Sequence, residues 1–430
     1  MKYKIILLLI IFPAYSLYAQ NVEYFLNKAF ENSPVLKSQL HKTNASHELY
    51  KKESVFSKNP VLSIGYSNVP ISEWPSLNKH PMSGINIGIS QYIASPWEDT
   101  YRKRVFYQKY LSEKEAIEET KNLIAFQVQS AYHDILFMHK KKQIMNENKQ
   151  VLSDVLRLAE SLVSVNKMNS SQLLKIKADI FSLTNKITEL DGKISKMHSN
   201  MEMLCGITLE WIVTDELLKK WIDDDTVKNT PAKFNVKNHP LYKRIHAIYE
   251  AQIAAHKLEI AKINPGATFG LDYRIRQEVT GKDEGEDFIS FKASIPIPLF
   301  YVLKEHHSIK ASREKENETR EMLRSTEIDL ITKWKGESNN HSNLLKSFSS
   351  FENDVLPGYL AAYKAHIASL SAGTVNLLDV LDTYRLYLNS SLDHARVYKE
   401  LNISKLRLNY LLHDYPNKKQ KNPSAENSKK

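Results

Sequence analysis

The chain has 430 residues, enough for one large domain or two medium ones, and it is poor in Gly (12) and Pro (15), the residues long helices avoid. Its formal net charge is +10, but Lys2 and Lys4 fall in a segment expected to be removed and the run Asn417 to Lys430 is itself basic, so the body is only mildly charged. No stripe of Lys and Arg interleaves with aromatic residues, which excludes nucleic acid as a partner, and the single cysteine, Cys205, excludes an intrachain disulfide.

The N-terminus reads as a secretory leader, residues 1–19. Lys2 and Lys4 supply the positive region, Ile5 to Phe12 the apolar core, and Leu17-Tyr18-Ala19 a cleavage site, with the cut expected after Ala19. The apolar core is too short to span a bilayer, and no later run reaches the roughly 18 apolar residues a transmembrane helix needs. No cysteine follows the expected cut, which argues against a lipid anchor. An exported chain without spanning helices is a soluble exported protein or an outer-membrane β-barrel.

The first repeat is placed at 20–210. Ser33-Pro34 and Asn59-Pro60 punctuate its start. Leu62, Ile64 and Tyr66 then alternate with Ser63, Gly65 and Ser67, and Ile85, Ile87 and Ile89 alternate with Asn86, Gly88 and Ser90. Period two means β-strand, so residues 61–92 form a hairpin around the Pro-rich loop Val69 to Met82, which carries Trp74. From Tyr101 to Val165 there is neither Pro nor Gly. At about 1.5 Å per residue such a helix spans near 100 Å. A second helix is expected from Asn169 to Met203, interrupted only by Gly192. Ile124, Val128, Ala131, Ile135 and Met138 recur three and four apart, the spacing of coiled-coil-like packing.

Residues 211–232, with the acidic run Asp223-Asp224-Asp225, read as a linker between halves. The second repeat, 233–414, restates the first. Ser33-Pro34 returns as His239-Pro240 and Asn59-Pro60 as Asn264-Pro265, a period of about 200 residues. Ala267, Phe269, Leu271, Tyr273 and Ile275 alternate with Thr268, Gly270, Asp272 and Arg274. Ile289, Phe291, Ala293 and Ile295 alternate with Ser290, Lys292 and Ser294. The hairpin 267–295 turns through the charged loop Arg276 to Asp287. Two long helices are expected over 304–412, His306 to Asp354 and Tyr359 to Leu412. The tail 415–430 reads as disordered. Strands of this length cross a bilayer at a tilt, and both loops suit external loops of a barrel. Four strands cannot close alone, whereas three copies supply about twelve, within the bacterial range.

No catalytic constellation is present: no P-loop, no Gly-x-Gly-x-x-Gly, no Cys pair, no His-Glu-x-x-His. The doublet His306-His307 reads as solvated surface, because adjacent residues on a helix point apart. Cys205 reads as a small buried hydrophobe. Trp74, Tyr92, Trp97 and Tyr301 suit membrane-interface belts or core equally.

Leader, duplicated halves, two hairpins and two pairs of long helices together resemble the TolC family of outer membrane efflux proteins, from about Val22 to His413. The most specific stretch is Ser371-Ala372-Gly373-Thr374-Val375-Asn376-Leu377-Leu378-Asp379-Val380-Leu381-Asp382, similar to the family's glycine turn followed by Asp-Val-Leu-Asp. The resemblance implies a mainly α fold with a β-barrel portion: an antiparallel coiled-coil barrel plus four transmembrane strands per protomer, closing as a 12-stranded barrel in a homotrimer. It implies an exit duct in the outer membrane with a periplasmic extension, served by a periplasmic adaptor and an inner-membrane pump. The duct is not an enzyme and takes no cofactor or metal of its own. Alternatives are a duct for type I protein secretion or drug efflux, or a non-pore periplasmic coiled-coil scaffold. By the same resemblance Asp379 and Asp382 line the closed periplasmic aperture, on one helix face three residues apart.

In the first half the matching run is Asn166-Lys167-Met168-Asn169-Ser170-Ser171-Gln172-Leu173-Leu174-Lys175. Asn166 replaces the glycine, Gln172 matches Asp379 and Lys175 matches Asp382. Acidity at the tip therefore comes from the second repeat, and Lys175 is expected to pair with a neighbouring carboxylate. Asn166, Gly373 and Thr374 mark the tip turns where an adaptor packs. The segment Pro81-Met82-Ser83-Gly84 through Gln91 is similar to heavy-metal-exporting relatives, although Ala94-Ser95-Pro96-Trp97-Glu98-Asp99 departs from their pattern.

Overall fold

The computed structural model describes residues 21–55, 58–164, 169–208, 211–224, 233–264, 266–281, 283–297, 299–371 and 374–416. The leader, the tail from 417, Asn166 and Gly373 lie outside the described residues. The chain forms two compact units, each drawn from both halves of the sequence: Val35–Thr120 with Asn235–Thr332, and the remainder.

The first unit holds the sheet. Helix α2 (Pro34–Glu53) leads into β1 (Val61–Ser67) and β2 (Gly84–Ile93), and helix α6 (Pro240–Ala261) leads into β3 (Ala267–Arg276) and β4 (Phe288–Ser294). Pairing is antiparallel throughout in the order β1-β2-β3-β4. The register sets Leu62 opposite Ile89, Ile89 opposite Leu271 and Leu271 opposite Phe291. It likewise aligns Ile64, Ile87, Tyr273 and Ile289 across all four strands. Because strand side chains alternate, this register gathers most of the large apolar residues on one face, with Val61 and Phe288 on the other. The apolar face is bare: Ile64 is 71%, Ile289 63% and Phe291 85% exposed. The opposite face is polar, with Lys292 paired to Asp272 at 2.6 Å and Arg274 Nε donating to Asn86 at 2.9 Å. Gly88 makes this possible, since a Cβ there would lie 2.1 Å from an Asp272 oxygen.

Beyond the strands, buried Arg276 ties the two loops together. Its guanidinium donates to the Pro81 carbonyl at 2.6 Å and to Asp283 at 2.5 Å. It also lies over the Phe288 ring at 4.3 Å.

Helix α3 (Pro96–Ser164) begins in the first unit and continues into the second. The second unit also holds α1 (Val22–Asn32), α4 (Ser170–Cys205), α5 (Asp215–Ile222), α8 (Leu356–Ser371) and α9 (Leu377–Leu412), while α7 (Glu305–Ser350) passes from one unit into the other. The seam between α3 and α4 follows a seven-residue repeat. Met138, Met145, Leu152 and Ala159 from α3 meet Leu173, Ile176, Ile180, Leu183, Ile187, Leu190 and Ile194 from α4. Spacings that alternate between three and four keep one stripe facing the partner helix. Ion pairs Lys142–Asp191 (2.6 Å) and Lys177–Glu160 (3.1 Å) tie the same two helices. Gly192 does not interrupt α4, which ends at buried Cys205 with Gly206 left-handed at φ 67°.

One expected break is absent. The sequence places a helix end near Asp354, before Pro357-Gly358. Instead α7 passes through a π turn (Phe351–Val355) directly into α8. Proline lacks an N–H and its ring collides with the carbonyl four residues back. The wider turn, in which Leu356 N–H bonds to the Phe351 carbonyl, absorbs that strain without ending the helix.

The linker contains α5, capped by Thr214, whose hydroxyl accepts from Leu217 N–H. Trp211 before it and Trp221 within it organise the unit's aromatic core. Trp211 stacks on Tyr132 at 5.2 Å and lies 4.7 Å from Phe25. Trp221 packs on Tyr398 at 5.2 Å and donates its indole N–H to His133 Nδ1 at 2.9 Å.

Burial pushes His133 down to about 4, against an opposing pull from Asp224. The unfolded chain therefore binds a proton between about pH 6.5 and 4 that the folded chain refuses, and stability falls as pH falls through that window. The loss from one such histidine is at most about 1.4 kcal/mol per pH unit. His133→Gln keeps an acceptor for Trp221 and removes the titration. Its Tm should fall less steeply than wild type between pH 6.5 and 4, and parallel Tm–pH curves would refute the assignment.

Candidate functional site

The turn from α8 into α9 brings the candidate residues into view. Asn376 caps α9, accepting from Asp379 N–H at 3.0 Å. An Asn side chain satisfies one of the amides a helix start leaves unpaired. In the first repeat Asn169 occupies the matching place and caps α4, accepting from Ser171 N–H at 3.0 Å. Thr374 closes the turn from the other side, with both its N–H and its hydroxyl donating to the Ser369 carbonyl at 3.0 Å.

Leu377 and Leu381 are buried in the α3–α4 seam, and Leu378 packs beside them. Asp379 and Asp382, off that buried face, are left exposed. The Asp379 carbonyl accepts from the Thr383 hydroxyl at 2.9 Å, and Thr383 Oγ1 lies 2.7 Å from His366 Nδ1 of α8. Tyr363 of α8 and Tyr384 of α9 pack at 4.9 Å, so two layers of side chains fasten this hairpin.

The two carboxylates are not equivalent. Asp382 Oδ1 receives Arg385 Nη1 at 2.5 Å, and the other Arg385 amine bonds Asp179 on α4. The guanidinium fork holds two carboxylates from two helices, a geometry lysine cannot reproduce. Asp379 makes no ion pair among the described residues.

Gln172 is half-buried on the first turn of α4, and Lys175 is exposed one turn on. Lys175 has no ion pair among the described residues, so the expected pairing is not found among them. Lys177 and Arg385 are the cations that engage carboxylates here instead. The expected turn residues Asn166 and Gly373 lie outside the described residues. Sequence reasoning did not find Arg385, Asp179, His366 or Asn169. The three-residue spacing from Asp382 to Arg385 was a visible signal; the contact with Asp179 depends on which helices meet. His306 and His307 sit on the first turn of α7, half-buried and exposed respectively, in keeping with a surface role.

Among the described residues no helix is long and apolar enough to cross a membrane. No protein-family model matches the sequence, and no curated protein does. Solved structures do match. The chain is similar to the channel CusC, with a TM-score of 0.76 and 13% identity over 92% of this chain and 93% of that one. It is similar to the outer membrane protein VceC from Vibrio cholerae, with a TM-score of 0.76 and 13% identity over 92% and 96%. It is similar to the CmeC outer membrane channel of Campylobacter jejuni, with a TM-score of 0.73 and 11% identity over 95% and 89%. The chain has the fold of these channels over nearly its whole length.

Arg385→Ala should leave global stability nearly unchanged, because half-exposed ion pairs contribute only about 0–1 kcal/mol. It should loosen the local tie between α4 and α9. Amide hydrogen exchange over 377–386 is expected to speed up by up to about fivefold, the equivalent of about 1 kcal/mol. Unchanged exchange there would show that the fork does not hold the hairpin.

Proposed function

We propose that this chain is one protomer of a homotrimeric exit duct in the outer membrane of a Gram-negative bacterium. The duct passively conducts solutes handed over by an inner-membrane pump through a periplasmic adaptor. The observation that carries this reading is the sheet: one face mainly apolar and largely exposed, the other mainly polar, with β1 and β4 as open edges. Lipid suits the first face and a water-filled lumen suits the second. Three copies joined β1 to β4 supply twelve strands and leave no edge. The fold shared with outer membrane channels supports the same reading. Such a duct works without catalysis or cofactor, and its helical part extends into the periplasm.

Around the trimer axis, Asp379 and Asp382 would form acidic rings at the periplasmic aperture, with Gln172 and Lys175 beside them. Arg385 compensates Asp382, so the Asp379 ring carries most of the selectivity. The tip turns at Asn166, Gly373 and Thr374 are the surface offered to the adaptor. A carboxylate-lined aperture favours cations, which supports heavy-metal cations as cargo.

Single-channel conductance in a planar bilayer tests this. Wild type should show a small, cation-selective conductance. Asp379→Ala should remove most of the selectivity, and Asp379→Ala with Asp382→Ala should also raise the conductance. A folded trimer without conductance would rule out the duct. Pores indifferent to both substitutions would remove the aperture assignment, and anion-selective pores would remove the metal cargo.

A further inference from the structure

The polar face of the sheet carries Arg274 and Arg276 on β3 and Lys292 on β4. Carboxylates answer two of these cations: Asp272 pairs with Lys292 and Asp283 with Arg276. Arg274 makes no ion pair among the described residues. The acidic side chains Glu278, Glu284 and Glu286 of the adjoining loop are exposed, so the surplus positive charge is confined to the strands.

The sheet holds Arg274 across β2. Its Nε donates to Asn86 Oδ1 at 2.9 Å, and Ser67 Oγ donates to the same oxygen at 3.3 Å. The Asn86 amide is thereby fixed with its carbonyl end towards the guanidinium. Gly84 leaves the strip that the arginine stem occupies, since a Cβ there would lie 2.9 Å from Arg274 Cγ. Phe288, opposite Arg274 on β4, lies against Arg276 instead. Asn86 takes one of the five N–H donors of a guanidinium, and the others meet no acceptor among the described residues. Beyond Asn86 the same cross-strand row ends at Gly65, where a Cβ would meet nothing within 4 Å. A splinted guanidinium beside an open glycine floor suits an oxyanion, which accepts two parallel N–H bonds from the fork.

We infer that Arg274, positioned by Asn86 and Gly84, is a contact site for the carboxylate, phosphate or sulfate group of a solute passing over the polar face. The site lies within one sheet. Its place in a lumen, repeated three times around it, rests on the duct reading. A ring of arginines favours anions, so the strands offer a partner to the anionic end of a solute, or to the counter-ion of a cationic one.

Thiol chemistry reads the site locally. Gly65→Cys places a sulfur on the open floor, and the native Cys205 is buried and does not compete. Purified full-length protein in detergent would be labelled with an anionic and a cationic methanethiosulfonate reagent. Salt stays well below 0.1 M, where the screening length is about 10 Å. The anionic-to-cationic rate ratio should be about threefold higher with Arg274 present than in Gly65→Cys with Arg274→Gln, the size expected of a unit charge acting through water at this range. Inorganic phosphate at matched ionic strength should slow the anionic reagent. Arg274→Lys keeps the charge and loses the fork, so it should keep the rate ratio and lose the phosphate effect. A rate ratio unchanged by Arg274→Gln in folded protein would overturn the inference, and so would phosphate without effect while Arg274 is present. In planar bilayers Arg274→Gln should shift the reversal potential towards cation preference. Labelling that follows these expectations in a folded protein without conductance would refute the duct and leave the anion site standing.

Discussion

A four-stranded sheet with one broad, exposed apolar face and two open edges is poorly suited to water, and the rest of the architecture answers to that constraint. Unpaired strand edges recruit further strands, and a bare face of Ile, Leu, Phe and Tyr seeks hydrocarbon. In the proposed duct, copies of the chain meet the first demand and lipid meets the second. The connections are short. β2 ends at Ile93 and α3 starts at Pro96, and β4 ends at Ser294 with α7 starting at Glu305. The intervening residues Ile295, Ile297, Leu299, Phe300, Val302 and Leu303 are exposed and apolar as well, extending the exposed apolar surface past the strand ends. Whatever arrangement the strands adopt is handed directly to the long helices.

Those helices solve a different problem. A helix as long as α3 has too little apolar surface to be buried on all sides, so its stability comes from one continuous stripe. The seven-residue spacing of Met138, Met145, Leu152 and Ala159 against α4 provides that stripe. Leu377 and Leu381 of α9 enter the same seam, which leaves Asp379 and Asp382 facing outward. The position of the candidate carboxylates is thus a by-product of packing: with Leu377, Val380, Leu381 and Tyr384 buried on one face of α9, Asp379 and Asp382 fall on the other.

Period-two alternation made all four strands legible, and the absence of Pro and Gly did the same for α3. Legibility ended where partners come from distant parts of the chain. The opposition of Ile89 to Leu271, the Arg385–Asp179 bond and the Arg274–Asn86 contact follow from which elements become neighbours. No local spacing encodes that. Pro357 misled for a related reason. As a helix breaker it predicts an end near Asp354, but packing on both sides, Phe348 against His394 and Tyr363 against Tyr384, holds the chain helical through it. The Asn caps lay between. Asn376 was recognisable beside its motif, whereas Asn169, in a run without the glycine, was not.

The π turn has a consequence for how this chain can vary. It contains one residue more than the α turn it replaces, and the side chains of Glu352, Asn353 and Asp354 within it are exposed. Deleting one residue there would leave an ordinary α turn of nearly the same angular advance, so α8 would keep its phase and Tyr363, His366 and Leu370 would still meet α9 and the seam, while Phe348 keeps its place against Tyr398. The same deletion in regular helix on either side would rotate everything beyond it by about 100°. Residues 351–355 therefore act as a phase buffer between two contact surfaces, holding a surplus residue that the flanking helices have no room for.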